Sequence, residues 1–239
     1  MYLIIDIGNT FIKLAIYDGG EIFHRVSKKK VLVKDIKALY SKYRFSAAIA
    51  SSVRTKNAYF IDYLKREHNL MVLTHKTKVP ISNLYKSPKT LGLDRLAAIV
   101  GAANMRPKKN CLVIDIGTCM TYDFIDDKRN YYGGNIAPGI ELRLLSMHHF
   151  TSALPLIKRK WNENMLGDTT KSAIQNGAVW GMKLEIEAFI KTLTSKKGQL
   201  DVLLTGGDAS YFGELIDSEI FVAPNLLLKG LHDILEYNL

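Results

Sequence analysis

Hydrophobic positions group into three short runs at the start of the chain. The runs cover 2–6, 11–17 and 21–26, and the turn-forming residues Gly8-Asn9 and Asp18-Gly19-Gly20 separate them. Short apolar or alternating runs bounded by such residues are typical of strands joined by tight turns. We therefore predict a three-stranded meander here.

Helical and strand-like patterns then alternate. Apolar residues recur at helical spacing in 33–40, 58–67 and 96–104, and buried-strand patterns occupy 47–51 and 71–73. The segment 77–91 contains two prolines and has no sustained period, which predicts an irregular loop. Structureless loops of this length are often functional.

The order of patterns begins again after the polar segment 106–110, which contains Pro107 and which we take as a domain boundary. The later elements are predicted as strands at 111–115, 120–125 and 131–136, a helix at 171–193, strands at 202–204 and 220–222, and a helix at 225–237. The predicted domains are 1–109 and 110–239.

The long helix predicted at 171–193 is also a candidate dimer interface, because Ile174, Ala178 and Trp180 to Met182 are more apolar than one buried face requires.

A repeated tripeptide supports a duplication. Asp6-Ile7-Gly8 and Asp115-Ile116-Gly117 lie 115 − 6 = 109 positions apart, and each follows an apolar strand and precedes another strand. A Walker loop or a dinucleotide-binding fingerprint would run from a strand into a helix, and neither glycine pattern is present. The sequence therefore predicts two related α/β domains.

Composition narrows the class of protein. The 239 residues are 47% hydrophobic and carry 33 Lys and Arg against 23 Asp and Glu, a formal charge of +10 that favours anionic partners. The two cysteines are too few for a disulfide framework, so we expect a reducing, cytoplasmic location. No apolar run approaches the roughly 20 residues of a membrane span, so no membrane partner is expected.

The chemistry of the repeated turn suits phosphate. Glycine lets backbone N–H groups approach a phosphate oxygen, a hydroxyl such as that of Thr10 or Thr118 adds a donor, and the aspartate can hold Mg²⁺ directly or through water. One such turn is more often structural, but two copies favour phosphate binding. Lys13 either reaches back toward a phosphate or is a solvent-facing strand lysine.

Two further segments carry candidate chemistry. Asp94 lies where the loop meets a helix and is the best candidate to deprotonate an attacking hydroxyl, although its carboxylate could instead cap that helix. Arg95 beside it suits a carboxylate or phosphate. Thr205-Gly206-Gly207 would allow close approach of a flat ligand such as adenine, or would simply form a turn into a helix.

Together these motifs resemble those of the type III pantothenate kinases, members of the acetate and sugar kinase/heat-shock protein/actin superfamily. The matching segments are Asp6-Ile7-Gly8-Asn9-Thr10, Gly92-Leu93-Asp94-Arg95, Asp115-Ile116-Gly117-Thr118 with Thr121, Gly133-Gly134-Asn135-Ile136-Ala137-Pro138-Gly139, Gly167-Asp168-Thr169-Thr170 and Thr205-Gly206-Gly207. The resemblance implies duplicated actin-like (ribonuclease H-like) domains, each a mixed sheet with a three-strand meander flanked by helices.

The resemblance also implies an activity and a set of roles. ATP would phosphorylate pantothenate to 4′-phosphopantothenate, the first step of coenzyme A synthesis, in a homodimer that uses Mg²⁺ and a monovalent cation, K⁺ or NH₄⁺. The implied ATP contacts are Asp6, Ile7, Gly8, Asn9, Thr10, Phe11, Ile12, Lys13, Thr118, Gly206 and Gly207. The implied pantothenate contacts are Tyr85, Gly92, Leu93, Asp94, Arg95 and Thr170, with Asp94 as the base. Asp115 matches the position for the monovalent cation, and Mg²⁺ accompanies the nucleotide at Asp6, directly or through water.

Several alternatives stay open. The family usually has Gly-Arg-Asn-Thr where this chain has Gly167-Asp168-Thr169-Thr170, so the choice of Thr170 rests on the segment Ala173-Ile174-Gln175-Asn176-Gly177 that follows, and Thr169 could be the contact instead. Cys119 is interpreted as a packed thiol, and His148 and His149 as surface or interface residues without chemistry. A sugar kinase of the same superfamily would share the two turns, but it is not expected to carry Tyr85 seven residues before Gly92.

A non-catalytic accessory factor for transcription is the alternative from a different class, since proteins similar to this family have been so described. The net charge of +10 permits nucleic-acid binding. However, no helix-turn-helix and no basic stripe with interleaved aromatic residues is recognisable, so a nucleic-acid partner is not favoured.

Overall fold

The computed structural model describes residues 1–8, 10–51 and 59–239. Its strands are β1 (Tyr2–Ile7), β2 (Ile12–Asp18), β3 (Glu21–Lys28), β4 (Ala47–Ala50), β5 (Leu70–Val72), β6 (Ser82–Asn83), β7 (Cys111–Ile116), β8 (Cys119–Ile125), β9 (Asn130–Pro138), β10 (Asp201–Thr205) and β11 (Phe221–Val222). Its helices are α1 (Val33–Tyr43), α2 (Tyr59–Glu67), α3 (Leu93–Met105), α4 (Ile140–Phe150), α5 (Thr170–Lys197), α6 (Ala209–Gly213) and α7 (Leu226–Asn238).

The chain divides into two compact units. Unit 1 comprises 1–107, 129–131 and 225–239, and unit 2 comprises 108–128 and 132–224. The helix α7 therefore belongs to unit 1, whereas the sequence interpretation assigned it to the second domain. Its apolar side chains Leu228, Leu231 and Ile234 pack with the residues of β1 and α3, which sequence periodicity alone does not reveal.

Unit 1 contains a five-stranded mixed sheet with the strand order β3-β2-β1-β4-β5. The strand β1 pairs antiparallel with β2 and parallel with β4. Alternate residues of these strands enter two cores: Leu3 and Ile5 pack with residues of α1 and α2, and Ile4 packs with residues of α3 and α7. The central strand is therefore buried on both faces.

Unit 2 repeats this arrangement. The strand β7 pairs antiparallel with β8 and parallel with β10, and β11 extends the sheet beyond β10. One face of this sheet packs against α4, α5 and α6. A hairpin beside a parallel third strand thus occurs in both units, which confirms the predicted duplication.

Some local predictions were wrong or incomplete. The loop 77–91 contains the short strand β6 and a single 3₁₀ turn at Pro88–Thr90. The helices α4 and α6 were not predicted. The residue Ala58, where we placed the start of a helix, lies outside the described residues. Among the described helices, none is both long and apolar enough to cross a membrane.

The proposed interface on α5 needs correction. Ile174, Ala178 and Met182 are buried in the core of unit 2, with Met182 fully inaccessible. Trp180 stacks near Trp161, with ring centroids 4.7 Å apart, and its indole N–H donates to the carbonyl of Asn162. These apolar side chains are therefore covered within their own unit.

Candidate functional site

The first turn places a lysine against its aspartate. Asp6 and Lys13 face each other in the register of β1 and β2, because the hairpin folds the chain tightly back after Gly8. The Lys13 ammonium lies 3.5 Å from Asp6 Oδ2. The N–H of Gly8 donates to the carbonyl of Phe11 at 3.1 Å and closes the turn. Asn9, an expected ATP contact, lies outside the described residues.

Ser51 is a member of this cluster that sequence inspection missed. It follows β4, the parallel neighbour of β1, and its hydroxyl donates to Asp6 Oδ1 at 3.2 Å while accepting the N–H of Ile7 at 3.0 Å. Ser51 and Asp6 are both buried. The hydroxyl therefore fixes both the carboxylate and the backbone that begins the turn.

Burial dominates the electrostatics of Asp6. Loss of water raises the pKa of its carboxyl above the ordinary value, while the Lys13 ammonium and the Ser51 hydrogen bond oppose that rise and the charge of Asp94 adds to it. The ionised Asp6 carboxylate is consequently only partly stabilised by its surroundings. A further cation at this carboxylate would stabilise that form.

Asp94 lies in the first turn of α3 and is exposed. Its Oδ1 accepts the N–H of Arg95 at 2.8 Å. This hydrogen bond satisfies one of the backbone N–H groups that have no partner within the helix at its start. The carboxylate therefore interacts with the helix start, as one of the two interpretations predicted, and the side chain remains exposed to solvent. Gly92 gives it room, since a Cβ at that position would lie 2.4 Å from Asp94 Oδ1.

Arg95 and Tyr85 lie close together in unit 1. Arg95 is buried, and its guanidinium carbon lies 5.7 Å from the ring centroid of Tyr85. Tyr85 stacks in turn on the buried Tyr131, with ring centroids 6.3 Å apart. Leu93 begins the same helix and is half-buried. The loop and α3 thus bring together the expected pantothenate contacts of unit 1.

The second turn has the same plan with different side chains. Asp115 faces Thr121 across β7 and β8, where Asp6 faces Lys13 in the first copy. The parallel neighbour of Asp115 is the buried Thr205, which takes the place that Ser51 takes beside Asp6. Each aspartate therefore has a hydroxyl residue on the adjacent parallel strand, but only the first has a lysine opposite.

Glycines surround the second turn closely. Gly206 has a φ of +98°, and a Cβ there would lie 2.4 Å from both Asp115 Oδ1 and the carbonyl of Ile116. Gly139 donates its N–H to the carbonyl of Thr118 at 3.0 Å, and a Cβ there would lie 2.1 Å from the carbonyl of Gly117. Gly207 is exposed, and a Cβ there would meet no described atom within 4 Å. Gly206 therefore packs against the turn, whereas Gly207 is accessible.

The start of α5 distinguishes Thr169 from Thr170. Thr169 is the N-cap: its hydroxyl accepts the N–H of Ser172 at 3.1 Å, and the Ser172 hydroxyl accepts the N–H of Thr169 at 2.9 Å. Thr170 is the first helical residue and is exposed. The capping role engages Thr169, so Thr170 is the better candidate for a ligand contact.

The structure also shows the exposure of Cys119 and of the pair His148 and His149. Cys119 is exposed at the start of β8, so its interpretation as a packed thiol was wrong, and Cys111 is the buried cysteine. The strand begins directly at the turn, which leaves the Cys119 side chain outside the core. His148 and His149 are exposed near the end of α4, which confirms the surface interpretation.

Comparison with known proteins identifies relatives along the full chain. Residues 2–192 match the family model described as type III pantothenate kinase. A type III pantothenate kinase of Phocaeicola vulgatus is 43% identical over 239 residues, covering 100% of this chain and 99% of the relative. One from Bacteroides fragilis is 40% identical and one from Christiangramia forsetii is 38% identical, each covering 100% of this chain and 98% or more of the relative.

Solved structures with lower identity share the fold. A structure described as a Baf family transcriptional activator from Campylobacter jejuni has a TM-score of 0.63 at 20% identity, covering 99% of this chain and 98% of that chain. One described as a 2-dehydro-3-deoxygalactonokinase from Sinorhizobium meliloti has a TM-score of 0.61 at 14% identity, covering 100% and 99%. The likeness in fold to this kinase structure agrees with the repeated arrangement of the two units and confirms the expected class of duplicated actin-like domains.

Proposed function

The chain belongs to the type III pantothenate kinase family, and from that premise we propose that it transfers the terminal phosphoryl group of ATP to the terminal hydroxyl of pantothenate. The product is 4′-phosphopantothenate, in the first step of coenzyme A biosynthesis. The observation that carries the assignments at the first turn is the contact of Asp6 with Lys13 and Ser51 in unit 1. The assignment of Asp94 rests on its exposed position in the first turn of α3.

The first turn is assigned to the phosphates of ATP. Lys13 supplies positive charge at the turn, and backbone N–H groups near Gly8 supply donors for phosphate oxygens. The buried carboxylate of Asp6 suits Mg²⁺, which prefers oxygen ligands and is held directly or through water. When bound, Mg²⁺ neutralises phosphate charge. Ser51 keeps the Asp6 carboxylate and the turn backbone in place.

Asp94 is assigned to proton transfer. The hydroxyl of pantothenate attacks the terminal phosphorus, the bond from that phosphorus to the bridging oxygen of ADP breaks, and the hydroxyl proton passes to the Asp94 carboxylate. The Arg95 N–H holds one oxygen of that carboxylate at 2.8 Å and so limits its rotation. Arg95 and Tyr85 are assigned, with Gly92 and Leu93, to binding and orienting the acid substrate, and Thr170 is assigned as a further contact from unit 2.

Asp115 in unit 2 is assigned to the monovalent cation. The Asp115 carboxylate lies in a turn rich in backbone carbonyls, and the carbonyl of Ile116 and Asp115 Oδ1 both lie close to Gly206. These donors suit K⁺ or NH₄⁺. Thr118 and Gly207 are exposed in the same unit and are assigned as ATP contacts, with Gly206 shaping the turn.

A coupled assay of ADP release tests the function. With pantothenate, ATP, Mg²⁺ and K⁺ we expect turnover, and we expect it to fall when tetramethylammonium replaces K⁺, because that ion is too bulky for the turn. Turnover with a sugar but none with pantothenate would favour a sugar kinase. Binding of nucleic acid without any turnover would favour the transcription factor alternative.

The variant Asp94→Asn tests the base. The amide keeps the shape of the side chain but accepts no proton, so we expect kcat to fall by about 10²- to 10⁴-fold while ATP still binds. Asp62→Asn is the matched control, because Asp62 is an exposed aspartate in the first turn of α2 in the same unit. A near-normal kcat for Asp94→Asn would remove this residue from the role.

The proposed cytoplasmic location rests on the two cysteines, which are too few for a disulfide framework. A homodimer completes the proposal, and its support is a set of apolar side chains of unit 2 that are exposed in the single chain. They are Leu142, Leu145, Phe150, Leu156, Met165 and Leu166. Clusters of exposed apolar residues commonly mark protein interfaces. We assign these side chains, three on α4 and three in the segment that follows it, to the contact with a second subunit in place of the buried residues of α5.

A further inference from the structure

Three side chains outside the assigned site connect α4, α5 and β8. We call Arg143, Glu185 and Tyr122 the Arg143–Glu185–Tyr122 network. Arg143 Nη2 donates to Glu185 Oε2 at 2.5 Å, and the Tyr122 hydroxyl donates to Glu185 Oε1 at 3.1 Å. Glu185 thus uses both carboxylate oxygens, one for each partner. All three residues belong to unit 2.

The network ends on the backbone beside the second turn. Arg143 Nε donates to the carbonyl of Pro138 at 2.8 Å, and the next residue, Gly139, donates its N–H to the carbonyl of Thr118 at 3.0 Å. Gly139 also lies so close to Gly117 that no side chain would fit between them. Any movement of Pro138 and Gly139 would therefore move the turn or break its hydrogen bond.

The other end of the network lies on the strand that leaves the turn. Tyr122 is four residues after Thr118 on β8, is buried, and stacks on Phe189 with ring centroids 4.3 Å apart. Burial, followed by the neighbouring Glu185 charge, raises the pKa of the Tyr122 hydroxyl, which keeps it protonated and able to donate. The turn is consequently held from both sides through one carboxylate.

Arginine suits this position because of its geometry. Its rigid guanidinium places Nε on the carbonyl of Pro138 and Nη2 on Glu185 at the same time. A lysine offers one ammonium on a flexible chain and has no second nitrogen to hold the other acceptor. The arrangement therefore requires the planar group as well as its charge.

We propose that the Arg143–Glu185–Tyr122 network positions the Gly117–Thr118 turn for the nucleotide, which makes Arg143 and Glu185 positioning residues for phosphoryl transfer. The inference rests on the proposed function, in which Thr118 contacts ATP. Neither Arg143 nor Glu185 needs to contact a substrate for this role, because both act through the backbone of Pro138 and Gly139.

The test uses Arg143→Lys and Glu185→Gln in the full-length enzyme. Both substitutions retain most of the side-chain volume. Arg143→Lys removes the planar guanidinium, and Glu185→Gln removes the negative charge that the guanidinium binds. We expect KM for ATP to rise about tenfold in each variant, with KM for pantothenate changed less than twofold. Because both changes break one network, the double variant should be little worse than either single variant.

Glu187→Gln is the matched control. Glu187 lies on the same helix, two residues from Glu185, and its carboxylate accepts from the buried Lys183 at 2.6 Å and from the N–H of Asp217 at 2.9 Å, neither of which belongs to the turn. This variant should lower the melting temperature but leave KM for ATP unchanged. If Arg143→Lys and Glu185→Gln behave in the same way as this control, the network is only structural and the inference is overturned.

A binding measurement separates this inference from the proposed function. Calorimetric titration with Mg²⁺ and a non-hydrolysable ATP analogue requires no turnover and no pantothenate. A weaker Kd in Arg143→Lys and Glu185→Gln supports positioning of the turn even if pantothenate is not the substrate. An unchanged Kd in both variants contradicts the inference even where the kinase assay succeeds.

Discussion

At the scale of single residues, Gly92 makes space for the carboxylate assigned to proton transfer. Its backbone angles, φ −58° and ψ 128°, are accessible to any residue. Only the side chain of Asp94 excludes a larger residue there, because a Cβ would lie 2.4 Å from Oδ1. The glycine therefore affects the position of a functional group more than the stability of the fold.

We predict that Gly92→Ala folds normally but loses turnover. The exposed carboxylate of Asp94 can rotate away from the new methyl group, and it would then lose the N–H of Arg95 and its place beside the substrate hydroxyl. The expected result is a fall in kcat of about 10- to 100-fold, measured by ADP release, with a small change in melting temperature. A variant with normal kcat would show that the Asp94 position is not critical.

The candidate site was predictable to different degrees. Asp6 and Lys13 are near in sequence and a tight hairpin necessarily brings them together, so the pattern of residues was sufficient. Ser51 contacts Asp6 across 45 positions through the pairing of parallel strands, which no local pattern encodes. The exposure of Cys119 depends on where β8 begins. The hydrophobic pattern predicted a strand from residue 120, and it did not show that Cys119 is the first strand residue after the turn.

At the scale of elements, two glycines set the distance between α3 and α7. A Cβ on Gly230 would lie 1.7 Å from the carbonyl of Ala97, and one on Gly101 would lie 2.5 Å from the carbonyl of Leu226. The obstructing atoms are backbone, which has little freedom to move. The two helices therefore pack at backbone contact, and Ala97 and Leu231 lie in the shared core.

We predict that Gly230→Ala destabilises the protein by about 3 kcal/mol or more, because α7 must move away from α3 and open the core. Urea unfolding measures the change. Gly177→Ala is the control: Gly177 lies within α5, where a Cβ would meet no described atom within 4 Å. That variant should gain about 0.5 to 1 kcal/mol, since alanine favours a helix. Equal stability of the two variants would contradict the packing explanation.

The helices were predicted unevenly for a physical reason. α1 and α2 bury one face each, so their apolar residues recur with the helical period. α3 is buried at every position from Arg95 to Ala103, and its mostly apolar sequence made it recognisable. α4 has apolar residues on both its buried and exposed sides, for example Leu144 in the core and Leu145 in solvent, and this mixture hides the period. α6 has only five residues, which is too short to show one.

At the scale of the whole molecule, the exposed apolar surface of unit 2 predicts an assembly. We expect Leu145→Glu with Phe150→Glu to convert the dimer to a monomer, because two charges would have to enter an apolar interface. Light scattering after size-exclusion chromatography measures the mass. Phe23→Glu, on the exposed face of β3 in unit 1, is the control and should leave the dimer intact. A wild-type chain that is monomeric at micromolar concentration would refute the assignment.

The membership of α7 in unit 1 has a consequence for biosynthesis. A ribosome completes all of unit 2 before it makes α7, so the unit that starts first is the last to be completed. Until then Ile4, Ala15 and Val100 lack the side chains of Leu228 and Leu231 that cover them. The nascent protein thus carries one finished unit and one with an open core, and this interval is when chaperones have the most apolar surface to bind.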